Sequence, residues 1–138
     1  MQQPLNPYLT VKGAADAIAF YQRAFGANEV ARMPAQDGKR LMHAELSING
    51  GTVMLSDEFP EHSESGAINA PSADRPAPVA IAMHFPQPAE VDAMYRRAMD
   101  AGCKSTLAPQ DMFWNARFAM LADPFGHRWM LNAPLPAK

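Results

Sequence analysis

Apolar and polar residues alternate along several stretches of the chain. From Leu5 to Val11, Leu5, Pro7, Leu9 and Val11 fall on one face and Asn6, Tyr8 and Thr10 on the other, the period of two that marks a half-buried strand. Over Asp16 to Phe25 the spacing changes. Ala17, Ile18, Phe20, Tyr21, Ala24 and Phe25 form a helical stripe, and Gly26 supplies the stop. Asn28 to Met33 predicts a short strand, ended by Pro34 and the Asp37-Gly38 turn. Leu41 to Ile48 alternates again, with Met42, Ala44, Leu46 and Ile48 opposite His43, Glu45 and Ser47. Asn49-Gly50-Gly51 predicts a hairpin turn, because its central positions tolerate positive φ. Thr52 to Asp57 returns, with Val53 and Leu55 opposite Thr52, Met54 and Ser56.

Asp57 to Pro78 has no period and is rich in Pro, Ser, Glu and Ala. It reads as a linker that could act as a lid, and His62 reads as a solvated loop histidine. The same plan then repeats. Val79, Ile81, Met83 and Phe85 alternate with Ala80, Ala82 and His84. A helix is predicted over Glu90 to Ala101, closed by Gly102, then strands over Lys104 to Ala108 and Arg117 to Ala122. Asp123-Pro124-Phe125-Gly126 is a turn, and Asp123 is expected to cap it. His127 to Asn132 sets Trp129 and Leu131 opposite Arg128, Met130 and Asn132, with His127 expected to pack outward. The tail from Pro134 to Lys138 is expected to fray.

Two echoes make the repeat explicit. Ala19-Phe20-Tyr21-Gln22-Arg23-Ala24 returns as Ala93-Met94-Tyr95-Arg96-Arg97-Ala98, and Val53-Met54-Leu55-Ser56 as Trp129-Met130-Leu131-Asn132. Their order and nearly equal offsets indicate a duplicated module. The prediction is a single α+β domain over 1–138: module one 4–57, linker 58–78 and module two 79–134, two tandem βαβββ modules forming a curved, cleft-bearing sheet.

Composition narrows the function. The chain has 138 residues, and a net charge of −2 argues against a nucleic-acid surface. One cysteine, Cys103, excludes an intrachain disulfide and is expected to be a small buried residue. Neither a leader nor a membrane span is legible, so a cytoplasmic protein is expected.

If each strand turns its apolar face to a helix, the opposite faces line something else. They carry polar groups together with Met54, Met130, Ala80 and Ala82, poor choices for a wet surface, so a small-molecule pocket is expected. Phe113-Trp114 with Arg117 reads either as a pocket wall with a cation or as a plug over the sheet end. His43, Glu45 and His84 all fall on the pocket faces and are the weak catalytic candidates, as a metal-free acid/base pair or a displaced metal site.

Leu41-Met42-His43-Ala44-Glu45-Leu46, Leu55-Ser56-Asp57-Glu58-Phe59-Pro60, Met112-Phe113-Trp114 and Asp123-Pro124-Phe125-Gly126-His127-Arg128-Trp129, set in the duplicated plan, resemble the vicinal oxygen chelate superfamily of glyoxalase I, extradiol dioxygenases and bleomycin-resistance proteins, and within it the PhnB-like group. In the metal enzymes of that superfamily, the resemblance implies, four ligands come from the first and last strands of each module. By strand position these are Asn6, Met54, Ala80 and Met130. Ala80 has no donor, and thioethers suit soft ions, so no metal and no cofactor are expected. No glycine-rich loop supports a methyltransferase. The leading expectation is a homodimeric protein binding an unknown small molecule through Tyr8, Met54, His84, Phe113, Trp114, Arg128 and Met130, with no nucleic-acid or membrane partner. The alternative is a metal-assisted lyase, isomerase or dioxygenase using His43, Glu45 and His84.

Overall fold

Each half of the chain runs strand, helix, three strands. The computed structural model describes residues 3–65 and 69–137. Its elements are β1 (Tyr8–Val11), α1 (Ala14–Phe25), β2 (Asn28–Pro34), β3 (Leu41–Ile48), β4 (Gly51–Asp57), a 3-10 segment (Pro60–Ser65), β5 (Ala80–His84), α2 (Pro88–Ala101), β6 (Lys104–Met112), β7 (Ala116–Ala122) and β8 (Arg128–Pro134). They form two four-stranded sheets of matching order, β1-β4-β3-β2 and β5-β8-β7-β6. In each, the strand before the helix pairs in parallel with the last strand of its module. Such a pairing needs a crossover, and the helix lies within it.

Local chemistry sets the element ends. Asp57 accepts hydrogen bonds from Gly13 N (2.8 Å) and Ala14 N (2.9 Å), satisfying donors at the α1 N-terminus, and a third from Leu41 N at 2.7 Å. Gly26 ends α1 at φ 69°. Gln87 and Glu90 form a capping box at α2, with Pro88 just inside it. The β3–β4 turn has Asn49 at φ 50° and Gly50 at φ 83°, as its sequence predicts.

Both sheets turn their apolar faces to one common core. Leu9, Val11, Leu46 and Leu55 from the first sheet, Leu121, Trp129 and Leu131 from the second, and Ile18, Tyr21 and Val91 from the helices are all buried. The modules interlock there: Phe25 packs 4.7 Å from the Trp129 ring and Tyr21 5.6 Å from it. Asp123 caps its turn through Phe125 N and His127 N, and its other oxygen accepts from Tyr21 Oη (2.7 Å) and Trp129 Nε1 (2.8 Å).

Several expectations are corrected. The first strand starts at Tyr8, and Leu5 is 85% exposed; the prolines at 4 and 7 have no N–H to give a ladder. In β3 the buried position belongs to Leu41, not Met42. A register shift between Met33 and Pro34 opposes this stretch, and the Asp57 carboxylate holds Leu41 N, so Met42 turns out and is 54% exposed. β6 runs four residues beyond its predicted end at Ala108, to Met112. His127 is buried rather than outward, its Nε2 2.9 Å from Thr10 O. β8 continues to Pro134, and Leu135 N donates to Asn115 O at 3.0 Å, so the tail is anchored further than expected. The linker carries the 3-10 segment and docks on the second module: Ala77 N donates to Gly126 O at 2.8 Å, and a Cβ on Gly126 would meet Ser72 N at 2.6 Å. Residues 66–68 of the expected lid, Lys138 of the expected frayed tail, and Met1 and Gln2 lie outside the described residues. No helix among the described residues is long and apolar enough to cross a membrane.

Candidate functional site

The face of each sheet turned away from the common core carries the residues singled out from alternation. Thr10, His43, Glu45, Ser47, Thr52, Met54, Ser56, Ala80, Arg128, Met130 and Asn132 are half-buried there; Tyr8, Ala82 and His84 are more exposed. Met54 and Met130 therefore point away from the helices. Asn6 precedes β1 and spends its amide on Thr52 O at 3.4 Å.

Register fixes which groups stand side by side. Tyr8 pairs with Met54, which pairs with Glu45. In the second sheet Ala82 pairs with Met130, which pairs with Met120. The two rows are equivalent by topology: Tyr-Met-Glu in one module, Ala-Met-Met in the other. The neighbours of the two thioethers are thus Tyr8 and Ala82, not Asn6 and Ala80. Of this set only the Tyr8 hydroxyl offers a hard oxygen beside two soft sulfurs and a methyl group, which does not fit the hard or borderline ion of the metal enzymes.

The polar row carries its own connection. β4 lies between β1 and β3, and neighbouring strands are spaced about 4.8 Å, so only a long side chain can cross it. Tyr8 does: its Oη lies 2.8 Å from His43 Nδ1, with ring centroids 5.5 Å apart. His43 Nε2 lies 3.6 Å from Glu45 Oε1, an ion-pair distance longer than a hydrogen bond. His84 does not join them; its carbonyl accepts from Asn49 Nδ2 at 3.0 Å. Among the described residues no three His, Cys, Asp or Glu side chains could hold a metal ion, so the displaced His43, Glu45, His84 metal site is not formed.

The apolar row runs into an aromatic cluster. Phe118 stands opposite Asn132, which pairs also with His84. Trp114 packs edge-on to Phe118 (5.3 Å) and Phe113 (5.0 Å), and its Nε1 lies 3.5 Å from Asn132 Oδ1. Trp114 is 45% and Phe113 95% exposed, so neither is a core plug. Phe118 and Met120 were missed as site residues, although their alternation with Ala119 and Leu121 carried the signal. Arg117 turns to the helix side, 2.9 Å from Asp92 and 3.1 Å from Asp111, and these partners hold its pKa above the ordinary value. Where the modules adjoin, the β3–β4 turn and β5 bound a hollow of about 350 Å³ reached by Thr52, Ala82 and His84, within the size range of small-molecule sites.

A charged groove lies elsewhere. Arg40 stacks 4.4 Å from the Phe59 ring and bonds Glu61 (2.6 Å) and Asp37 (2.7 Å). The hydrogen bonds from Lys39 N and Arg40 N, then the Arg40 guanidinium, hold Asp37 down at about 2; the Arg40 guanidinium does most to hold Glu61 at about 2. His62 packs 6.0 Å from Phe59.

The sequence model of the Glyoxalase/Bleomycin resistance protein/Dioxygenase superfamily matches residues 5–131. An uncharacterized protein of Mycobacterium bovis is 42% identical over 135 residues, 98% of this chain and 86% of that protein. The crystal structure of protein PA1353 from Pseudomonas aeruginosa superimposes with a TM-score of 0.74 at 24% identity, covering 99% of each chain. The PhnB protein of Bacillus cereus does so at 0.70 and 18% identity, over 95% of this chain and 99% of that one.

Proposed function

The chain belongs to the glyoxalase/bleomycin resistance protein/dioxygenase superfamily, and on that premise we propose that it is a PhnB-like protein that binds a small molecule on the open sheet faces without a metal ion. The observation that carries this reading is the outward placement of large apolar side chains on sheet faces that have no covering helix, Met54, Met130 and Phe118, with Trp114 and Phe113 of the β6–β7 turn beside them and Trp114 packed on Phe118. Thioethers and aromatic rings supply adaptable contact area, while Tyr8, His84 and Arg128 supply the few polar groups that orient a ligand. A second copy of the chain covers part of these faces in a homodimer, which accounts for a phenylalanine as exposed as Phe113. The PhnB-like assignment rests on the sequence segments that resemble that group; the likeness of folds supports the architecture alone.

The two tryptophans make the test direct. Trp129 is buried in the common core, whereas Trp114 sits on the open face. Flat apolar ligands are expected to quench Trp114 emission saturably, and Trp114→Phe to remove the signal while Trp129→Phe retains it. Tyr8→Phe and Met54→Ala should each weaken binding. A panel of such ligands that leaves both the emission and the melting temperature unchanged would refute the reading.

A further inference from the structure

From the contact of Tyr8 with His43 and of His43 with Glu45, we infer that the first module's open face is a proton-accepting site for a phenolic or enolic hydroxyl, which it binds as the oxyanion. This rests on the proposed binding role of the same face and names the chemical class it takes. A carboxylate only accepts. With Glu45 facing Nε2, the ring proton is assigned to Nε2 and Nδ1 accepts from the Tyr8 hydroxyl. The Tyr8 oxygen, its proton committed to His43, presents lone pairs to the open face and receives a donor from solution.

The transfer balances within these residues. The ligand O–H proton passes to the Tyr8 oxygen as the Tyr8 proton passes to His43 Nδ1. The imidazolium so formed carries N–H bonds at both nitrogens, one toward Tyr8 and one toward the Glu45 carboxylate, and the ligand remains as an oxyanion accepting from Tyr8. No bond to carbon forms or breaks, and no electrons are exchanged. The row of groups is an orienting carboxylate, an imidazole and a hydroxyl, the order of roles in a general-base relay. Its site suits an aromatic or enolic body because Met54 stands directly beside Tyr8, and thioether sulfur packs well against such rings. The groups facing His43 are Tyr8 from β1 and Glu45 from β3, while β2 presents Met33 opposite it; the charged β2 residues Arg32 and Glu29 are paired with one another at 2.7 Å. The second module has Ala82 and Met120 at the equivalent places and carries no such relay.

The probe is 4-nitrophenol, whose ionised form absorbs visible light. At a pH where the free probe is mostly neutral, the full-length protein is expected to generate the phenolate band saturably. Tyr8→Phe and His43→Gln should abolish the band. Glu45→Gln should weaken the band without abolishing it, because the carboxylate, 3.6 Å from Nε2, acts on the imidazolium as a nearby charge and not through a hydrogen bond. All three side chains lie on the open face, and far-UV circular dichroism checks each variant's fold. Binding seen by Trp114 quenching without the phenolate band overturns the relay while leaving the binding face intact. A band that survives in Tyr8→Phe and His43→Gln also overturns it, because another group then holds the oxyanion. Absence of both quenching and band overturns the relay and counts against the binding reading as well.

Discussion

Tyr21 of α1 donates its hydroxyl hydrogen to Asp123, in the last turn of the other module, at 2.7 Å in the middle of the common core. Asp123 also accepts from Trp129 Nε1 at 2.8 Å. Tyr21→Phe should therefore cost about 1–3 kcal/mol, the penalty for removing one partner of a buried charged acceptor. Asp123→Ala should cost more, because it strands the Tyr21 and Trp129 donors as well as two backbone N–H groups. Urea unfolding monitored by circular dichroism measures both. If Tyr21→Phe left the midpoint unmoved, this bond would have no part in holding the modules together.

Alkaline pH should weaken the fold through the same region. Burial, and then the nearby Asp123 charge, raise the Tyr21 hydroxyl well above its ordinary range, and the same two causes push the Cys103 thiol from 9.0 up to about 12. The folded chain keeps a proton that the unfolded chain surrenders. The stabilisation is fully present below the ordinary thiol value and is lost as pH rises from about 9 toward 12. Melting temperature should fall across this window, and Cys103→Ala should flatten the first part of the decline. A profile identical in that variant would remove Cys103 as the cause.

Gly126 tests the docking of the linker. At φ 91° it occupies a conformation unfavourable to other residues, and an added Cβ would meet Ser72 N at 2.6 Å and Pro71 C at 2.8 Å. Gly126→Ala should destabilise by about 1–3 kcal/mol and speed proteolytic cutting between 70 and 78. Unchanged cutting would mean that the linker is held by other contacts.

Chelation should leave the protein unaltered. With thioethers at two of the four family ligand positions and alanine at a third, neither EDTA nor added zinc, nickel, iron or manganese should shift the melting temperature. A stoichiometric stabilisation by any of these ions, lost in His43→Gln, would restore the metal-assisted reading.

The repeat, the sheet faces and the outward direction of Met54 and Met130 were legible because strict alternation fixes which face a side chain takes. The bulge that exchanged Leu41 for Met42 was not, since Asp57, sixteen positions later, decides it by holding Leu41 N. Nor was the Tyr8–His43 contact. It depends on β4 being inserted between β1 and β3 and on one ring leaning across it, and pairing order is a tertiary fact that local pattern does not contain. His127 misled for a similar reason: its partner, Thr10 O, lies 117 residues away. The exposure of Trp114 ran against the general habit of tryptophan to bury, and that departure is itself what directs attention to the open face.

Because Tyr21 and Phe25 pack on Trp129 from the opposite module, neither half of the chain finishes its own interior. A gene cut between the halves would yield two products that survive only by finding each other.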